Sequence, residues 1–127
     1  MTEAVIDTSV LIDYLRGFRE AGDFILKVRD GKLTGYISTL TEAELFAGKD
    51  GDNPLKREIL VRLIGRFGVV DVNSNIARKA GDIRRKYGTF MSDAVIAATA
   101  ESLNLRLFTK NIKDFKQIKE IKTEEPY

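Results

Sequence analysis

The hydrophobic positions of this chain change period several times, and each change marks an element. Ala4, Val5 and Ile6 form an apolar run that reads as a buried strand, which stops at Asp7 before apolar residues resume at Val10. Thr8 or Ser9 is placed to cap a short helix through Leu15, ended by Gly17. Ala21, Phe24, Ile25 and Val28 then recur at i, i+3, i+4 and i+7, which predicts a second helix closed by Asp30 and Gly31. Residues 33–38 (LTGYIS) suit a second strand, and a third helix follows to Gly48. After the turn-rich stretch GKDGDNP, residues 48–54, a fourth helix opens near Pro54 with Leu55, Ile59 and Leu63 on one side. VVDV, residues 69–72, reads as a third strand. Asn73 or Ser74 caps a helix whose apolar stripe is Ile76, Ala80, Ile83 and Tyr87. Ser92 and Asp93 open AVIAATAESL, apolar nearly all round and therefore buried on more than one face. LRLFT, residues 105–109, is a fourth strand, and EIKT, residues 120–123, a weaker fifth.

Strands alternating with helices predict an α/β fold, a three-layer α/β/α sandwich around a mainly parallel sheet, as a single domain over residues 1–127. A chain of this length buries roughly two thirds of the surface its unfolded form exposes, so it needs no staples. In open parallel sheets ligands bind beyond the carboxyl ends of the strands. No apolar run approaches membrane-spanning length and no secretory leader pattern opens the chain, so the expectation is a cytoplasmic protein without membrane contact. Cysteine and histidine are both absent. Disulfides, thiolate chemistry, Cys/His zinc sites and the Ser-His-Asp triad are thereby excluded, leaving carboxylates, lysine, tyrosine, hydroxyls and hard metals. The net charge of +2 says little about partners. Its distribution says more, because RRKYG (84–88) and Lys110, Lys113, Lys116, Lys119 and Lys122 place much of the positive charge in the second half. Solvated helix and edge faces are the plainer account of such lysines.

Several carboxylates fall where the predicted topology directs attention. Asp7 follows the first strand directly; an Asx turn or a helix cap also explains such a residue. Glu44 lies in STLTEAELFAGK, which holds two overlapping capping boxes, Thr39 to Glu42 and Thr41 to Glu44. At about 100° per residue, Glu44 falls about 40° from Leu40, with Ala43 and Ala47 on the same side, whereas Glu42 lies about 200° round. An ionised group on an apolar face is costly unless paired or bound to a metal, which sets Glu44 apart. Asp93 stands in the first turn of the buried helix, where the helix dipole alone accommodates it, but Ala94, Ala97 and Ala98 let other elements approach closely. After the fourth strand, TKNIKDF supplies Asn111 and Asp114, for which a turn residue and a lysine partner are the plain alternatives. Two like charges about 5 Å apart repel by roughly 3 kcal/mol at an effective dielectric near 20, so a cluster of such acids calls for a cation. Oxygen donors without His or Cys favour Mg²⁺ or Mn²⁺. Such an ion polarises phosphates and activates water, making Asp7 a candidate metal ligand at the mouth of the sheet.

VIDTSVLIDYL, TLTEAELFAG, SDAVIAATAESLNL and LFTKNIKDF, in this order and spacing, resemble the PIN-domain nucleases, most closely the VapC toxins of type II toxin-antitoxin systems. The likeness covers residues 4 to about 118. The resemblance implies a metal-dependent endoribonuclease that hydrolyses RNA phosphodiester bonds with Asp7, Glu44 and Asp93 as acidic ligands. The fourth position varies in the family, so Asn111 stands where some members carry Asp, and Asp114 is the alternative for completing the site. Thr8, Ser9 and Thr109 are the hydroxyls expected to orient those ligands. The resemblance further implies a homodimer and a VapB-like antitoxin, with Leu11, Leu15 and Leu60 as groove candidates. It gives Lys110, Lys113, Arg84 and Arg85 the role of backbone-phosphate contacts, since an acidic site alone repels RNA.

Rival readings fare less well on the residues. A response-regulator receiver needs an acidic pair after the first strand and a phosphoacceptor Asp after a central one; Asp7 has no acidic neighbour and GYISTLT no Asp. A haloacid-dehalogenase-like phosphatase wants Asp where Ser9 stands. Two alternatives persist: a structure-specific DNA nuclease, and a catalytically weak PIN domain that binds RNA.

Overall fold

The computed structural model describes residues 2–127 and places five strands in one parallel sheet. These are β1 (Thr2–Ile6), β2 (Leu33–Ser38), β3 (Gly68–Val70), β4 (Arg106–Phe108) and β5 (Thr123–Glu124), in the order β3-β2-β1-β4-β5. The helices are α1 (Thr8–Leu15), α2 (Arg19–Arg29), α3 (Thr39–Ala47), α4 (Pro54–Ile64), α5 (Ser74–Tyr87), α6 (Met91–Leu103) and the single turn α7 (Ile112–Phe115). A short 3-10 helix, Lys49–Asp52, fills the predicted loop before Pro54.

β1 shows why the run AVI is unbroken. Its side chains alternate across the sheet, and both faces are covered, so Ala4, Val5 and Ile6 are all fully buried. Ala4 and Ile6 join the core formed with Val10 and Leu11 of α1, Phe24, Ile25 and Val28 of α2, and Leu60, Leu63 and Ile64 of α4. Val5 and Leu107 face the other core, with Ile76, Ala80 and Ile83 of α5 and the alanines of α6. Two cores on opposite sides of one sheet make the expected α/β/α sandwich. No helix among the described residues is long and apolar enough to cross a membrane.

Several local expectations change. Asp7, not Thr8 or Ser9, holds the cap position of α1. The cap of α3 is Ser38, whose Oγ accepts from the Leu40 N–H, so neither of the two capping boxes forms. β2 runs straight into α3, which leaves Ser38 as the last extended residue and puts Thr39 already inside the helix. On α4 the buried residues are Leu60, Leu63 and Ile64, while Leu55 (76% exposed) and Ile59 (52%) face outwards. Asn53 caps that helix by accepting from the N–H groups of Leu55 and Lys56. α6 begins at Met91, one residue before the predicted start, β3 ends at Val70, and β5 is displaced to Thr123–Glu124.

Candidate active site at the carboxyl edge of the sheet

The order of strands reverses direction at β1, since the chain moves outwards through β2 and β3 and then returns to add β4 and β5 on the other side. The crevice beyond β1 and β4 is thus the topological switch point of the sheet. Asp7 leaves β1 at this place, its N–H donating to the Phe108 carbonyl at 2.9 Å, and Thr109 leaves β4 beside it.

Although Asp7 occupies the α1 cap position, its side chain makes no capping bond and is only 5% exposed. Oδ2 instead accepts from Ser9 Oγ and from Thr109 Oγ1, both at 2.8 Å. Those hydroxyls accept in turn from the N–H groups of Lys110 (3.3 Å) and Asn111 (2.9 Å). Each hydroxyl has one proton and gives it to the carboxylate, so α1 and the segment after β4 are locked together around Asp7. Oδ1 has no hydrogen bond among the described residues.

Glu44 is held by a second relay. Thr8 Oγ1 donates to Glu44 Oε1 at 2.8 Å and lies 2.9 Å from Thr41 Oγ1. Because Thr8 spends its single proton on Glu44, Thr41 donates to Thr8. Thr41 is fully buried, and Glu44 itself is exposed. The expectation that Glu44 lies on a buried helix face is therefore incorrect: Thr41 and Leu45 form that face, and Glu44 stands at the rim, turned to the crevice by Thr8. In the sequence Thr41 is indistinguishable from the capping residue of the second box. Its spacing of three from Glu44, on the same side of a helix, is the signal that identifies it.

Asp93 is half-buried in the first turn of α6. Burial, followed by the charges of Asp7, Asp114 and Glu44, pushes its carboxyl up to about 6. The small residues after it serve as expected, with Ala94, Ala97 and Ala98 fully buried under the neighbouring elements.

Two adjacent cavities meet at Asp93. One, of about 180 Å³, is lined by Asp7, Thr8, Ser9, Glu44, Asp93 and Asn111, with Ile12, Ser92 and Ile96 completing its wall. The other, of about 160 Å³, places Asp114 beside Asp93, together with Lys113 and Gln117. Asn111 and Asp114 thus serve different cavities. Among the described residues no group of three or more acids is arranged to hold a metal ion as it stands. The acids line an open crevice instead of closing a cage.

The profile of the PIN domain family matches residues 4–121. The chain belongs to the PIN domain family. Among PIN proteins, it is 36% identical over 124 residues to Ribonuclease VapC10 of Mycobacterium tuberculosis, covering 93% of this chain and 90% of that one. A solved toxin-antitoxin complex from Klebsiella pneumoniae contains a chain 30% identical to it, with a TM-score of 0.78 and 98% of both chains covered. The fold likewise matches DNA-bound VapBC from Salmonella typhimurium, at a TM-score of 0.84, 24% identity and full coverage of both chains.

Within this PIN domain the predicted phosphate contacts separate into free and committed cations. Lys110 Nζ donates to the Tyr127 carbonyl at 2.8 Å and sits 4.6 Å from the Tyr127 ring centroid. Arg84 is spent on the Thr89 carbonyl, tying the end of α5 to the start of α6. Arg85 pairs with Asp82 at 2.9 Å on the surface. Lys113 makes no ion pair among the described residues and lines the second cavity.

Proposed function

We propose that this PIN domain is a VapC-type endoribonuclease toxin that hydrolyses RNA phosphodiester bonds with Mg²⁺ or Mn²⁺ bound in the acidic crevice. The observation that carries the reading is the convergence of Asp7, Glu44, Asp93 and Asn111 on one cavity at the switch point of the sheet. The donors fit a hard cation, being all oxygen, and Asp93, whose carboxyl is raised first by burial and then by the charges of Asp7, Asp114 and Glu44, stands among acids whose mutual repulsion a cation relieves. An open crevice suits Mg²⁺, which commonly takes one or two carboxylates and keeps waters and substrate phosphate as its other ligands. Asp7, Glu44 and Asp93 are the residues to hold it, with Asn111 at one side and Asp114 at the other. When bound, such an ion supplies Lewis-acid polarisation of the phosphate and lowers the pKa of water for attack. The protein's own part is orientation. Ser9 and Thr109 fix Oδ2 of Asp7 and leave Oδ1 for a ligand, Thr8 aims Glu44, and Lys113 offers a free cation to the RNA backbone.

The same reading includes a VapB-like antitoxin and a homodimer. A cavity of about 270 Å³, lined by Ile12, Leu15, Leu45 and Leu60 among others, abuts the acidic crevice, and Ile12 and Glu44 line both. A partner segment laid in that groove runs directly onto the acids. Leu11, the third groove candidate, is fully buried and takes no part. The test is digestion of labelled single-stranded RNA and matched DNA with Mg²⁺, Mn²⁺ or EDTA. The expected result is RNA cutting that EDTA stops. Cutting that persists in EDTA, or a preference for DNA, overturns the reading; RNA binding without cutting supports the RNA-binding alternative.

A further inference from the structure

The second cavity beside Asp93 carries features that holding a metal does not explain. Phe90 caps α6, is 76% exposed, and lines this cavity with Thr89, Lys113 and Gln117. A phenyl ring so exposed at the edge of a charged crevice gains nothing from the core. Thr89 is nine-tenths buried, and its Oγ1 has no hydrogen-bond partner, the one such buried side-chain atom among the described residues. An orphan hydroxyl of this kind is costly unless a ligand or water satisfies it. Lys113 adds a free cation, and Gln117, whose Nε2 donates to the Asp114 carbonyl, keeps its side-chain oxygen free of hydrogen bonds among the described residues.

We propose that this cavity seats the nucleotide flanking the scissile phosphate, with Phe90 stacking on its base, Lys113 meeting its phosphate and Gln117 supplying a polar contact. Single-stranded RNA is gripped in this manner, by aromatic stacking on splayed bases and cations on the backbone. A second copy of the chain is a poorer occupant. It would bury Asp93 and Asp114, which have no paired cation among the described residues, beneath the small exposed patch of Phe90 and Met91. The inference rests on the ribonuclease reading and makes Phe90 a determinant of substrate positioning.

The test compares wild type with Phe90→Ala, Phe90→Leu and Phe90→Tyr on single-stranded RNA in Mg²⁺, and cross-links each to RNA substituted with 5-iodouridine. Losing one base stack weakens binding by roughly 5- to 150-fold. The loss is expected in KM for the Ala and Leu variants with kcat little changed, rescue by Tyr, and a cross-link at residue 90 in wild type. RNA cutting by wild type with an unaltered KM in Phe90→Ala overturns this inference alone. Equal activity of Leu and Tyr variants, or a change of oligomeric state in Phe90→Ala by sedimentation, also overturns it. Absence of both RNA cutting and RNA binding in wild type overturns the ribonuclease reading and the inference together.

Discussion

Asp93 is the residue on which the site's electrostatics converge. Its carboxyl is raised to about 6 by burial and by Asp7, Asp114 and Glu44, so the metal-free fold binds that proton more tightly than the unfolded chain does. Such a group favours the fold at low pH and loses that contribution as pH rises from its ordinary value of 3.8 through about 6. Metal-free Asp93→Asn is therefore expected to melt higher than wild type at pH 8 and to show no such gain at pH 4. A gain of equal size at both pH values contradicts a raised Asp93 carboxyl. Thr41 tests the other relay: Thr41→Val removes the donor to Thr8 inside the core, with an expected cost of about 1 kcal/mol in urea unfolding and a larger proportional loss of RNA cutting. Unchanged activity in that variant means that Glu44 needs no orientation. Asp7 is legible in the sequence because it interrupts an apolar run at the end of a strand, and Asp93 because it opens an apolar helix beside Ala94, Ala97 and Ala98. Glu44 was singled out by helix phase, yet it reaches the crevice from an exposed position through Thr8, a contact between distant segments that no local pattern encodes.

At the level of elements, the packing of β2 against its neighbours is tight. A Cβ on Gly35 meets the Phe67 ring at 2.8 Å and Ile6 at 3.3 Å. Gly35→Ala is expected to cost roughly 1–3 kcal/mol by thermal or urea unfolding through overpacking beside β1, and a neutral result means that Phe67 turns aside freely. The stripes of α2 and α5 were legible since each helix has one apolar face and one charged face. α4 was not, because Leu55, Ile59 and Leu63 compete with Leu60, Leu63 and Ile64 as equally regular helical stripes. Periodicity alone cannot rank two such faces. The start of α3 was misplaced for a similar reason: Ser38, Thr39 and Thr41 are all good caps, and the choice among them is made by where β2 stops pairing.

For the molecule as a whole, the parallel sheet and its switch point were predictable from the alternation of strands and helices, and they put Asp7 and Thr109 side by side across a sequence separation of 102 residues. The division of the crevice into two cavities, with Asn111 in one and Asp114 in the other, depends on the single turn α7, too short for any periodic signal. RNA is expected to be cut in the acidic crevice around Asp93, where the two cavities meet. Single-turnover cleavage of labelled single-stranded RNA by wild type, Asp93→Asn and Glu42→Gln in Mg²⁺ tests this most directly, since Glu42 lies on the same helix as Glu44 but lines neither cavity. The account predicts a fall of roughly 100-fold or more in Asp93→Asn with the fold retained, and a near-wild-type rate in Glu42→Gln. Full activity in Asp93→Asn, or equal losses in both variants, contradicts it.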